Sequence, residues 1–279
     1  MCRTHCKGGI TLLVSVICTV KNGERFIVET VESIRKQTFP YWEMIIVDVG
    51  SVDGTAHILQ ELCEQDARLH VVETKGVGRA RALNIATEHA RGVYIANIDI
   101  DDPAHPERLK RQYELLEKRK DIACLVSQSL TIHGAGEVMW PSEVGTVELT
   151  QITAETLFKR NPINHSSIFI RKSTLQKIGG YDEVSELLFD YELWLRLVTR
   201  GHLIYESSEK LATKRLHDGQ SYEKQKRLRY LMATRKLKRS FIQQTSPKFK
   251  YYILANISVL YGLLPQTLRY RVKKATIKI

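Results

Sequence analysis

The sequence predicts an α/β protein: a mostly parallel central sheet flanked by helices, extended at its C-terminal end by a basic helical region. Three observations predict it. Short apolar runs of strand length recur through the first hundred residues, stretches with apolar residues at helical spacing lie between them, and cations crowd the end of the chain. Strands that alternate with helices imply crossover connections, and these join parallel strands in a layered sheet.

Each element follows in order. Leu12 to Cys18 reads as a buried strand, and the polar turn Lys21-Asn22-Gly23-Glu24 leads into a helix with Ile27, Val31 and Ile34 on one face. Met44 to Val47 is a second buried strand that runs into Asp48-Val49-Gly50-Ser51-Val52-Asp53-Gly54-Thr55. Thr55 is placed to cap the next helix, which buries Ile58, Leu59 and Leu62. Leu69 to Val72 is a short strand, Gly78 to His89 a helix, and Gly92 a glycine suited to end it. Val93 to Ile98 is the next strand, and Leu109, Tyr113 and Leu116 mark the helix that starts near Pro106.

Behind the strand ending at Ile98 stand three carboxylates, Asp99, Asp101 and Asp102. Like charges this close repel unless a cation sits among them, and magnesium or manganese takes one or two carboxylates while water and phosphate fill its other positions. Such a site would hold a phosphorylated ligand. The alternative is an acidic loop capping the helix near Pro106. In parallel sheets ligands bind outside the carboxyl ends of the strands. Three loops, Thr19 to Glu24, Asp48 to Asp53 and Asp99 to Asp102, bring polar groups to that edge.

Taken in order, these segments resemble family 2 glycosyltransferases, whose nucleotide-sugar-binding fold is called GT-A. The matching segments are Val14 to Glu24, Ile45 to Thr55, Gly92 to Leu109, and Phe189-Asp190-Tyr191-Glu192-Leu193-Trp194-Leu195-Arg196, which together span roughly residues 12 to 220. The resemblance implies a nucleotide-sugar donor contacted by Thr19, Lys21, Asn22, Glu24, Asp48, Ser51, Asp53, Arg81 and Asp99. It also implies a divalent cation, Mn2+ or Mg2+, on Asp101 and Asp99. His217 is a further candidate for the diphosphate or the metal. Arg79 and Arg81, which follow Gly76-Val77-Gly78, either steady phosphates or lie on a solvated helix face. Asn161 to Ser166 resembles a segment near the acceptor side.

Asp190 stands at the family's catalytic-base position. A sugar hydroxyl is a poor nucleophile at neutral pH, so a carboxylate within reach must take its proton during attack on the anomeric carbon, and one such group suffices for inversion. The same acid also suits the N-terminus of a helix carrying Leu193, Trp194 and Leu197, where the macrodipole favours it. Two residues depart from the family pattern. Val49 stands where many relatives have a second acid that accepts from uracil, which leaves guanosine and thymidine donors open beside uridine. Phe189 stands where relatives commonly carry Glu. A catalytically idle domain of this fold, serving nucleotide sensing or protein binding, is the alternative these departures raise. No Gln-x-x-Arg-Trp segment is present, which points to addition of one sugar rather than polymer synthesis.

With 279 residues, 43% hydrophobic and 26% charged, the chain has the composition of an ordinary folded protein rather than a disordered one. Its charge is divided unevenly. Tyr222 to Ile279 holds 15 Lys and Arg against one acid, Glu223, a net +14, while residues 1–221 hold 27 cations and 30 acids, a net −3. The organisation expected is therefore a tail over residues 1–11, a GT-A domain over 12–221 and a basic helical region over 222–279. The apolar run Tyr251 to Leu264 is shorter than the ~20 residues of a spanning helix. It fits a helix lying in a membrane interface, tyrosines at headgroup level and cations beside anionic lipid, or else a cap on the catalytic domain. The expected acceptor is a saccharide or a polyprenyl-linked sugar at the cytoplasmic face of the cell membrane, with no specific nucleic-acid partner. The five cysteines, Cys2, Cys6, Cys18, Cys63 and Cys124, lack metal-ligand pairing and suit a reducing cytosol.

Overall fold

The computed structural model describes residues 12–134, 136, 138–141, 146–185, 187–216, 227–245, 248–264 and 268. The expected N-terminal tail, His217 and the proposed boundary at 221 and 222 lie outside the described residues. The first half alternates as expected: β1 (Val14–Val20), α1 (Ile27–Arg35), β2 (Trp42–Asp48), α2 (Thr55–Gln65), β3 (Leu69–Glu73), α3 (Arg79–His89), β4 (Tyr94–Asn97) and α4 (Arg108–Lys118). Then come β5 (Ile122–His133), β6 (Leu149–Ile152), α5 (Ala154–Lys159), a 3-10 turn (His165–Ser167), β7 (Phe169–Arg171), α6 (Lys172–Lys177), α7 (Phe189–Thr199) and β8 (Leu203–Leu216). Two further helices, α8 (Arg227–Thr245) and α9 (Phe249–Leu263), close the described chain.

The strands form one sheet in the order β3-β2-β1-β4-β7-β5-β8-β6. β7 and β6 run against the others, because β7 pairs antiparallel with both β4 and β5 and β6 pairs antiparallel with β8. The sheet is mostly parallel, and its antiparallel members fall in the second half, where the sequence pattern is weakest. Alternate residues of the central strands face opposite layers, the period-two consequence of strand geometry. Ile17, Ile45 and Ile95 join the core beneath α3 and α7, whereas Val16, Met44 and Ala96 join the one beneath α1, α2 and α4.

Register matters for function. Val20 pairs with Asp48 and Ile17 with Asn97, so the loops after β1, β2 and β4 leave from one edge of the sheet. The opposite end of these strands is tied by a buried polar network. Ser15 Oγ donates to Glu43 Oε1 at 2.7 Å, Arg91 donates to Glu43 through its backbone N and Nε, and Gly92 N donates to Ser15 Oγ. Burial pushes the Glu43 carboxyl up, but these donors outweigh it and leave the pKa below its ordinary value.

Gly92 therefore serves another purpose than the one its position suggests. α3 ends with Ala90 as its C-cap, and a Cβ on Gly92 would stand 2.6 Å from Ser15 N. Close approach of two backbones, not a helix stop, requires glycine there. Thr55 also departs from expectation: it is the first residue of α2, and its hydroxyl accepts from Gly23 N at 2.8 Å while donating to Asp53 Oδ1 at 2.5 Å. The N-cap is Gly54, and Asp53 Oδ1, one residue before it, accepts from Thr55 N, the first amide of the helix.

α8 and α9 pack on the domain. Ile242 and Ala255 are fully buried in the same core as Phe158, Leu193 and Trp194, and the Tyr251 ring lies 5.1 Å from that of Phe158. Tyr251 and Tyr252 are each half-buried against this core, Tyr251 beside Phe158 of α5, while Tyr261 is exposed. α9 keeps a second, outward stripe of Phe249, Ile253, Ile257, Leu260 and Leu263, each exposed. Among the described residues no helix is long and apolar enough to cross a membrane.

Candidate active site

The first two loops of the shared edge are stitched together by their own polar atoms. Asn22, at φ +56°, donates from its backbone N to Ser51 Oγ and accepts from Val52 N through Oδ1, both at 2.9 Å. Glu24 Oε2 accepts from Gly54 N at 2.6 Å, and Asp53 Oδ2 accepts from Glu24 N at 3.4 Å. Asp48 Oδ1 accepts from both the backbone N and the hydroxyl of Ser51. Asn22, Glu24, Ser51 and Asp53, expected as donor contacts, therefore shape the loop pair and hold its form. At the strand ends Thr19, partly buried, pairs with Val47, and Asp48, buried, pairs with Val20, while Lys21 in the following loop is exposed. Val49 turns toward the hydrophobic core and offers no acceptor to a base.

The third loop carries the acids. They do not cap α4, whose N-cap Glu107 makes no side-chain bond and whose Leu109 N donates instead to Gln37 Oε1 at 2.9 Å. Asp99 Oδ1 accepts from Arg79 Nη2 at 2.5 Å and Asn97 Nδ2 at 3.3 Å, with His165 Nδ1 at 3.6 Å. Burial works against this charge, yet Arg79 and then His165 outweigh it and hold the carboxyl well below the usual range. Asp102 turns the other way, where Oδ2 accepts from Ser166 Oγ at 2.6 Å and Oδ1 from Arg215 N at 2.7 Å. Burial first, then Asp99 and Asp101, push its pKa up to about 8.

Two fully buried arginines bracket the cluster, and the sequence alone did not single out either. Arg108 Nη2 donates to the carbonyls of Asn97 and Ile168 at 2.9 and 3.0 Å, and its Nε donates to Gln112. Arg215 donates from Nε to the Asp101 carbonyl, from Nη1 to that of Gly134 and from Nη2 to Glu29 Oε2. His165 also escaped notice as more than part of a segment. It bridges the cluster to Tyr181, whose hydroxyl lies 3.0 Å from Nε2, and packs edge-on to Phe189. No local pattern marks these residues: Arg108 in an amphipathic helix reads as solvated, and Arg215 in a strand and His165 in a turn carry no signal until their partners are known.

Asp190 lies in the first turn of α7, where Asn161 Nδ2 reaches its Oδ2 at 3.5 Å. Arg79 connects it to the acids. Its guanidinium lies over the Phe189 ring, 5.4 Å from the centroid, and the charges of Asp99, Asp190 and Asp101 all raise its pKa. Arg81 is not brought to this group: two residues further round α3, it pairs with Glu88 at 2.9 Å and Glu183 at 3.5 Å. The helical turn decides between the two arginines, because only the first residue of α3 points at the β4 edge.

Among the described residues, no group of three or more His, Cys, Asp or Glu is disposed to hold a metal. The residues present still fit Mn2+ or Mg2+. These hard ions need only one or two protein carboxylates, available from Asp99 and Asp101, when phosphate and water supply the rest.

Comparison with known proteins gives the family and the fold. Residues 15–178 match the sequence profile of Glycosyl transferase family 2. The putative glycosyltransferase EpsE of Bacillus subtilis strain 168 is 32% identical over 207 residues, covering 71% of each chain. The putative teichuronic acid biosynthesis glycosyltransferase TuaG of the same strain is 33% identical over 205 residues, 73% of this chain and 79% of that one. Among solved structures, S. aureus TarS 1-349 in complex with UDP-GlcNAc superposes with a TM-score of 0.67 at 18% identity, covering 90% of this chain and 72% of that chain. The mannosyltransferase PcManGT from Pyrobaculum calidifontis, in complex with GDP-Man and Mn2+, gives 0.66 at 18% identity, with coverages of 89% and 69%. The shared architecture is the GT-A fold.

Proposed function

Because the chain belongs to glycosyl transferase family 2 and is a glycosyltransferase, we propose that it moves one sugar from a nucleotide-diphosphate sugar to a saccharide or polyprenyl-linked acceptor, with inversion, in cell-surface polysaccharide assembly. The observation that carries this reading is the position of Arg79. It bonds Asp99 and lies over the residue preceding Asp190, so the donor-holding acids and the base flank one space.

Each part of that space has a task. Thr19 and Asp48 line the nucleoside end, where Val49 removes one acceptor for a uracil ring and leaves the choice of base to backbone groups and neighbours. Asp99 and Asp101 would hold the divalent cation, which would supply positive charge against that of the departing diphosphate. Asp190 takes the proton of the acceptor hydroxyl as that oxygen attacks the anomeric carbon from the face opposite the diphosphate. Phe189 and Tyr191, both buried, fix the start of α7 and hence the carboxylate between them.

A thermal-shift panel of UDP, GDP and dTDP, each with Mn2+, Mg2+ or neither, tests the donor side. At about 100 times the dissociation constant a ligand adds ~2.7 kcal/mol, which for a chain of this size raises Tm by roughly 5–10 °C. We expect such a rise with at least one nucleotide, and only when metal is present. No rise with any combination would refute the donor assignment.

The outward stripe of α9 supports contact with an anionic membrane face, the cytoplasmic leaflet where lipid-linked acceptors are presented. Five exposed apolar residues at helical spacing stand in the region that carries a net +14, which suits an aliphatic stripe in the interface and cations against headgroups. The parent chain is expected to float with phosphatidylglycerol-containing vesicles, and a chain with Ile253→Ser, Ile257→Ser and Leu260→Ser is expected to stay behind. Equal flotation of the two would refute this attachment.

A further inference from the structure

We propose that Arg79 is an exchangeable counter-ion, holding Asp99 in the donor-free enzyme and passing to the donor's diphosphate on binding, so that metal and nucleotide bind interdependently. The proposal rests on the reading of Asp99 and Asp101 as the cation's carboxylates and goes beyond it.

Three features of the site lead to this. The bonds described for the Asp99 carboxylate all fall on Oδ1, and Arg79 makes the shortest of them. A divalent cation arriving alone must therefore approach a carboxylate already neutralised by a guanidinium, against that guanidinium's own charge. Second, the Arg79 side chain is 45% exposed while Asp99 is 23% exposed, so the arginine can turn toward solvent without opening the core. A Cβ on Gly78, just before it, would meet nothing within 4 Å, so the start of α3 is uncrowded on that side. Third, a planar guanidinium fork matches two phosphate oxygens as well as it matches a carboxylate.

The charges then favour exchange. A nucleoside diphosphate brings negative charge that draws Arg79 from Asp99, and the released carboxylate is free for the cation that arrives with it. Without the diphosphate, leaving Asp99 costs the arginine its partner. Metal and nucleotide should each raise the other's affinity, and coupling of this kind commonly amounts to about 5- to 150-fold.

The test titrates Mn2+ into the full-length parent, Arg79→Met and Arg79→Lys proteins, reading free Mn2+ by electron paramagnetic resonance, with and without UDP or GDP. Methionine is a good helix former and Arg79 is half-exposed, and thermal melting of each variant checks the fold. For the parent, nucleotide should tighten Mn2+ binding at least ~10-fold. In Arg79→Met, Mn2+ alone should bind about 5-fold tighter than in the parent, and the gain from nucleotide should shrink toward unity. Arg79→Lys should fall between the two, since its point charge lacks the fork. Unchanged or weaker Mn2+ binding in Arg79→Met, with the nucleotide effect intact, would overturn the proposal while leaving the metal reading standing. Absence of Mn2+ binding in every protein, with or without nucleotide, would remove the metal reading and this proposal with it.

Discussion

An Asp190→Asn variant is expected to lose sugar transfer by about 10²- to 10⁴-fold, the usual contribution of a positioned general base, while binding nucleotide and Mn2+ as the parent does. The substitution preserves shape: Asp190 is held between buried Phe189 and Tyr191, and Asn161 reaches its Oδ2 at only 3.5 Å. What asparagine cannot do is accept the acceptor's proton. The competing role, an acid stabilised by the α7 N-terminus, leads to a different outcome, since losing that interaction costs about 0.3–1 kcal/mol of stability and no activity. Transfer of a labelled sugar and thermal melting, measured on one preparation, separate the two. Turnover at the parent rate would refute Asp190 as the base.

An Arg108→Met variant is expected to lose about 3–5 kcal/mol of unfolding free energy, a large share of a typical domain's stability. Arg108 is wholly buried, and methionine of similar length cannot donate to the carbonyls of Asn97 and Ile168 or to Gln112. It also removes the cation that faces Asp102 and Asp99 from below: burial lowers the Arg108 pKa, and these two acids raise it. The buried carbonyls of Asn97 and Ile168 lose this donor, and a bond lost from a buried polar group carries its desolvation cost. Chemical denaturation measures the loss, and Arg119→Met, at an exposed pair with Asp121, supplies the contrast of little change. A loss at Arg108 no larger than at Arg119 would refute the buried-cation account.

Much of the fold was legible because its signals are local. Trp42–Asp48 and Thr55–Gln65 follow from runs and spacings within a dozen residues, and only their boundaries moved. Gly92 and Thr55 were recognised as special yet given the wrong tasks. Their partners, Ser15 and Gly23, lie 77 and 32 residues away, and no helix-end rule contains such distances. The site divides the same way. The acidic cluster and Asp190 are visible as unusual residues after a strand and before a helix. The loop stitching by Asn22, Glu24, Ser51 and Asp53 is not, because one polar residue in a turn resembles another until its partner is known.

The choice between Arg79 and Arg81 illustrates the limit of pattern. Both follow the same glycines, and only the direction each takes from α3 sends one to Asp99 and the other to Glu88 and Glu183. The tyrosines of α9 are similar: composition suggested an interface, whereas packing against Phe158 turned Tyr251 inward and left the aliphatic stripe outside.

By itself, then, the sequence determined the alternation of strands and helices, the family, the acids at the β4 edge and the basic end of the chain. Each of these is written in periodicity, composition or adjacency. Only the tertiary structure decided what faces those acids: Arg79 on Asp99, His165 beside it, Arg108 beneath and, on Asp102, the backbone N–H of Arg215, 113 residues away. The reason is physical. Periodicity follows from the backbone geometry of neighbouring residues, whereas charge compensation acts through space, and a buried carboxylate takes whichever cation the fold brings within a few ångströms.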